Sequence, residues 1–126
     1  MKHPRTFFKC ELCGDMVSMV EGSGEQLLCC HQEMTELKPN TVDAATEKHV
    51  PVVERDGNTL KVTVGSVPHP MTPEHHIAWI AVAGENQTTR VTLDVTGEPS
   101  AVITAPDGDV TVYEYCNLHG LWAVDA

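Results

Sequence analysis

The chain is predicted to be all-β: a small unit stapled by four cysteines, followed by a β-sandwich. Three observations predict this. Four of the five cysteines fall within the first 30 residues, in a stretch poor in large apolar side chains. From about residue 49 onward, short runs alternate apolar and polar residues and are punctuated by turn residues. No amphipathic helix of convincing length and no internal repeat breaks that pattern.

Residues 1–37 form the first unit. Phe7, Phe8, Leu12, Leu27 and Leu28 are too few to hold so small a unit by burial alone, so a staple is needed. Cys10-Glu11-Leu12-Cys13-Gly14 is a metal knuckle, and Cys29-Cys30 supplies a second pair with no spacer. Four thiolates suit a tetrahedral ion, and the spacing fits zinc and iron equally. Adjacent cysteines cannot build a second knuckle of the usual kind, so the tetrahedron is expected to be distorted. A vicinal Cys29–Cys30 disulfide would be strained and would strand Cys10 and Cys13.

Residues 38–48, with Pro39-Asn40-Thr41 and Asp43-Ala44-Ala45, read as a linker. Residues 49–126 then carry the strands. Leu60-Lys61-Val62-Thr63-Val64 alternates, and Ile77-Ala78-Trp79-Ile80-Ala81-Val82 is an apolar run of buried character. Arg90–Val95, Ala101–Thr104 and Val110–Tyr115 follow. Turns are expected at Asp56-Gly57-Asn58, Gly84-Glu85-Asn86, Gly97-Glu98-Pro99 and Pro106-Asp107-Gly108-Asp109. Short strands at this spacing indicate a sandwich of immunoglobulin-like type.

The formal charge of −10 disfavours nucleic acid and anionic membranes as partners. The start, Met1-Lys2-His3-Pro4-Arg5, has no apolar run behind it, and no segment is apolar enough to span a bilayer, so a cytoplasmic setting is expected. An odd cysteine count excludes a complete disulfide framework within one chain. Clustered cysteines in a reducing compartment read first as metal ligands.

The fifth cysteine stands apart, in Cys116-Asn117-Leu118-His119-Gly120. A cysteine three residues from a histidine is either a nucleophile with its base or part of a mixed sulfur–nitrogen metal site. A nucleophile also needs an oriented base and an oxyanion hole, and nothing else in the chain suggests them. Among the seven histidines, His49, His69, His75 and His76 lie in or near proline-bearing segments that fix the backbone. Several nitrogens with one sulfur suit a redox transition metal better than a structural zinc.

Taken together these segments resemble the desulfoferrodoxins, two-iron superoxide reductases. The resemblance is carried by Cys10-x-x-Cys13-Gly14, Cys29-Cys30, Glu47-Lys48-His49-Val50-Pro51-Val52, Lys61–Val67, His69-Pro70-Met71, His75 and Tyr115–Trp122, and spans essentially the whole chain. It implies a desulforedoxin-like iron site of Cys10, Cys13, Cys29 and Cys30. It implies a catalytic iron held by His49, His69, His75 and His119 in a plane, with Cys116 as axial ligand. His76, His3 and His31 are not ligands in that pattern. Lys48 is implied to steer superoxide and orient water, and Glu47 to be a sixth ligand of the resting ferric ion.

The implied reaction is one-electron reduction of superoxide to hydrogen peroxide without dioxygen. An axial thiolate would push electron density onto the metal, as in thiolate haem enzymes. The implied partners are a rubredoxin-like electron donor and a second copy of the chain. Two other readings stand beside this one: an electron-transfer protein relying on the four-cysteine iron, and a zinc-stapled binding module. Phe7-Phe8, where a tyrosine is common in the family, and a loose match over residues 83–106 are departures that touch no ligand.

Overall fold

The computed structural model describes residues 1–105 and 107–126, which divide into two units. One comprises Arg5–Lys38 and the other Met1–Pro4 with Pro39–Ala126. Pro106, in one of the predicted turns, lies outside the described residues.

The smaller unit contains strands β1 (Phe7–Lys9), β2 (Met16–Ser18), β3 (Leu28–Cys29), β4 (Gln32–Glu33) and β5 (Thr35–Glu36). They form a three-stranded antiparallel sheet in the order β2-β1-β5 and a β3–β4 hairpin. Only Phe7, Cys10 and Met34 of its apolar residues are buried, the sparse core that the composition predicts.

The larger unit carries a single helical turn, α1 (Thr46–His49), across the end of the segment read as a linker. That segment also docks locally. The Asn40 N–H donates to Leu121 O at 3.0 Å, and its side-chain amide exchanges hydrogen bonds with Ala123 at 2.9 and 3.1 Å.

Seven strands follow: β6 (Pro51–Asp56), β7 (Thr59–Val64), β8 (Ile77–Ala83), β9 (Thr88–Thr92), β10 (Ser100–Thr104), β11 (Thr111–Cys116) and β12 (Gly120–Asp125). Two antiparallel sheets result, β10-β7-β6 and β12-β11-β8-β9. Leu60, Val62 and Val64 of β7 and Ile103 of β10 pack with Ile80 and Val82 of β8 and Val112 of β11 to form the core between them. This is the all-β sandwich the alternation predicts. The other face of the four-stranded sheet carries Trp79 stacked on Tyr115, with ring centroids 5.9 Å apart.

Strand ends differ from the sequence expectation where side chains compete with the ladder. The run Arg90–Val95 was expected to continue as strand, but β9 stops at Thr92. Asp94 Oδ1 accepts from Thr96 N–H at 3.0 Å and Asp94 O accepts from Gly97 N–H at 3.0 Å, turning the chain early. Strands β6 and β12 carry the family segments Val50-Pro51-Val52 and Gly120-Leu121-Trp122, whose period-2 signal is blurred by prolines, charges and a continuous apolar run. No helix among the described residues is long and apolar enough to cross a membrane.

Candidate metal centres

Five predicted ligands converge in the larger unit. The donor atoms of His49, His69, His75, Cys116 and His119 all lie within 4.8 Å of one another. They arrive from three places at one end of the sandwich. His49 ends α1, His69 and His75 sit on the β7–β8 connection, and Cys116 and His119 flank the β11–β12 turn. That turn has three loop residues and returns through Gly120 at φ 80°, a conformation glycine adopts without strain.

Gly65 sets the approach of α1. A Cβ there would lie 2.6 Å from Glu47 O and 3.1 Å from Val50 O, so only a residue without one fits. The same contact is sealed by Val67 N–H donating to Glu47 O at 2.9 Å, and Ser66 Oγ donating there at 3.3 Å. These bonds hold the backbone of Glu47 and Lys48, whose side chains are exposed, beside the buried His49.

The four imidazoles close a ring. Successive centroids, His49–His69–His75–His119 and back to His49, are 4.8, 4.6, 5.1 and 4.8 Å apart, with interplanar angles of 73–88°. His49 Nε2 lies 3.2 Å from His69 Nε2 and 3.1 Å from His119 Nδ1. Two nitrogens at right angles on one ion with bonds of about 2.1 Å would be about 3.0 Å apart, so the spacing fits a shared ion. Cys116 Sγ lies 3.4 Å from His69 Nε2 and 3.8 Å from His119 Nδ1. His75 Nε2 is buried without a hydrogen-bond partner among the described residues, the arrangement expected of a ligand nitrogen.

Backbone groups fix which nitrogen is offered. The Nδ1–H groups of His49 and His69 are placed to donate to Ala45 O and Pro70 O, each at 2.7 Å, leaving Nε2 as the inward lone pair. Burial pushes the pKa of His49 and His75 down and that of His69 to about 4, which favours the neutral form an imidazole needs to ligate a metal. The Lys48 charge adds to the lowering at His49 and His75. Burial raises the Cys116 thiol, opposed by the amides of Leu118 and His119 aimed at the sulfur. Trp122 stacks on His49 at 5.0 Å and donates Nε1–H to His119 O at 3.1 Å, bracing two of the five donors. Five donors of mixed type exceed the four of a closed structural zinc site.

The second cluster joins Cys10, Cys13, Cys29 and Cys30. All four are free thiols, as is Cys116, so no vicinal disulfide is present. Cys13 Sγ lies 3.6 Å from Cys29 Sγ, which is 3.9 Å from Cys30 Sγ. A tetrahedral ion with metal–sulfur bonds of about 2.3 Å needs sulfurs about 3.8 Å apart, so this pocket fits as well. The knuckle amides of Cys13 and Asp15 donate to Cys10 Sγ and Cys13 Sγ, both at 3.5 Å. The first of these, with the Leu12 amide and the Cys13 and Cys29 thiols, outweighs burial and lowers the Cys10 thiol to about 7. The adjacent pair reaches the site because Cys30 and His31 both take positive φ, 53° and 63°. Cys10 is fully buried, whereas Cys13 and Cys30 are exposed.

Residues 41–125 match the family described as Desulfoferrodoxin, and residues 4–37 match Desulfoferrodoxin, N-terminal domain. The chain belongs to the desulfoferrodoxin family. Among curated desulfoferrodoxins, that of Syntrophotalea carbinolica is 46% identical over 92% of each chain. That of Nitratidesulfovibrio vulgaris is 40% identical over the full length of both. The solved structure titled superoxide reductase from Treponema pallidum superposes with a TM-score of 0.79 at 40% identity, covering 96% of this chain and 98% of that one. Every residue expected to ligate falls in one of the two clusters. His76, expected to lie outside, instead directs Nδ1 to Thr72 O at 2.9 Å.

Three contributors escaped sequence reasoning. Gly65, Asn117 and Glu114 act through a forbidden Cβ, a hydrogen-bonded loop and a buried carboxyl. Of these, only Glu114 left a trace, as a charge in the middle of the apolar run Val110–Tyr115.

Proposed function

We infer that this protein is a superoxide reductase, an oxidoreductase that delivers one electron to superoxide and yields hydrogen peroxide. The observation that carries the reading is the cluster of four imidazoles and one thiol within 4.8 Å. His49, His69, His75, His119 and Cys116 would hold the catalytic iron; Cys10, Cys13, Cys29 and Cys30 would hold a second. When bound, the catalytic iron supplies the electron and an open position for the substrate.

The chain's own residues do the rest. His49 and His69, locked by carbonyls, hold their nitrogens inward without reorganisation. Cys116 supplies a sulfur donor whose charge is tempered by two backbone amides. Lys48 answers a problem set by the net charge of −10, which repels an anion. Its ammonium, next to His49, reverses the local potential. Screening over about 8 Å makes that nearby charge outweigh distant carboxylates. Lys48 is also read as the N–H donor that assists protonation of the peroxide. Glu47 is read as the carboxylate that occupies the open position between turnovers.

A rubredoxin-like donor, a homodimeric assembly and a cytoplasmic setting complete the reading. They are supported by the two-centre ligand set, by exposed sheet edges and by the family resemblance.

A superoxide pulse on reduced protein should be consumed in one fast step with one peroxide formed per superoxide. Dioxygen evolving at half the superoxide consumed would mean dismutation instead. An electron-transfer role for the four-cysteine iron makes a different forecast for Cys13→Ser. Here that variant loses the four-cysteine absorption yet, chemically reduced beforehand, still consumes superoxide at the parental rate. A dead variant would transfer the function to the N-terminal centre.

A further inference from the structure

We propose that Asn117 is a positioning residue for the catalytic site, acting on His75 without touching the metal. This rests on the five-ligand iron site proposed above.

His75 is held differently from His49 and His69. His49 and His69 are fixed through their rings, by carbonyls on Nδ1. Among the described residues no hydrogen bond holds the His75 ring, and its buried Nε2 is unpartnered. Its direction is therefore set by its backbone. Thr72 brackets that backbone: its N–H donates to His75 O at 2.9 Å, and its Oγ1 and O accept from His75 N–H at 3.1 and 3.2 Å.

Thr72 belongs to the same short loop, so it fixes the shape of the loop and not its place. The place comes from Asn117. Its Oδ1 accepts from His76 N–H at 2.8 Å, and its Nδ2–H donates to Glu74 O at 2.9 Å. One amide thus grips the chain on both sides of His75. Asn117 N–H adds a third bond to His76 O at 3.2 Å.

The anchor is the turn that carries Cys116 and His119. The β8–β11 register shifts between Tyr115 and Cys116, so the ladder cannot carry the alignment to the ligands unaided. The Asn117 side chain continues it. Asparagine suits this because a single planar group offers both an acceptor and donors. Aspartate keeps the acceptor and loses the donor; alanine loses both.

The test is spectroscopic. In Asn117→Ala the ferric signal of the catalytic iron, read by electron paramagnetic resonance, should change symmetry. Iron release to a chelator should accelerate about 10- to 100-fold, the usual cost of losing an outer-shell partner. Asn117→Asp should fall between Ala and the parent, and the four-cysteine absorption should stay put in both. A folded variant of either kind with the parental signal and release rate overturns the proposal. So does one that loses stability while its iron signal stays unchanged.

A measurement on the parent protein stands if neither variant folds. The His76 amide, donated to Asn117, should exchange with solvent faster once iron is removed, and an unchanged rate overturns the coupling. Absence of a five-ligand iron signal from the parent would instead refute the site assignment itself.

Discussion

Replacing Cys116 by Ser should abolish the thiolate-to-iron absorption of the catalytic centre and lower superoxide reduction at least about 100-fold, the upper range for losing even an outer-shell partner. Cys116 is fully buried, 3.4 Å from His69 Nε2 and 3.8 Å from His119 Nδ1, and is the sole sulfur among five donors. A serine hydroxyl of similar shape would keep the fold. It would not ionise there, because burial already opposes ionisation of the more acidic thiol. The effect should therefore be electronic. The N-terminal centre supplies an internal control, since its four sulfurs belong to a separate unit and its absorption should not move. A Cys116→Ser protein retaining both the band and the activity would remove the sulfur from the mechanism.

The second large effect concerns stability and pH. Glu114 lies mid-strand in β11 with both oxygens buried and without a partner among the described residues, two residues along from the core residue Val112. Burial pushes its carboxyl from the ordinary 4.5 up to about 9. Between those values the folded protein keeps a proton that the unfolded chain releases. Stability from this residue is then whole below about pH 4.5 and is lost as pH rises toward 9, at about 1.4 kcal/mol per pH unit.

Glu114→Gln keeps the shape and removes the titration. Unfolding free energies of the two proteins, measured by denaturant titration of the sandwich from pH 5 to 9, should diverge with rising pH in favour of the glutamine variant. Parallel profiles would show that the carboxyl is ionised in the folded state.

Much of this was legible in the chain itself. Period-2 alternation located β7, which has one face against the core, whereas β8 showed as a continuous apolar run because it is buried on nearly every side. Spacing marked the four-cysteine group and the Cys116–His119 pair, the family resemblance implied the full set of nine, and all nine gather in the two clusters. What stayed hidden depends on tertiary approach. Nothing local in Gly65 says that Glu47 O will lie where its Cβ would be. Nothing in Asn117 says that residues more than forty positions earlier will bring Glu74 O and His76 N–H to its amide. Strand β9 ended early for a reason that is local, the Asp94 turn, yet the alternation on either side of Asp94 conceals it.

The three origins of the five clustered donors would also give a bound ion a mechanical part. One ligand precedes the three-stranded sheet, two lie on the connection between sheets, and two close a hairpin of the four-stranded sheet. An ion gripped by His49 and His119 ties together points 70 residues apart in sequence. A cross-link spanning that much chain removes about 4 kcal/mol of unfolded-state entropy. An ion bound there would thus clasp the sandwich as well as serve its chemistry.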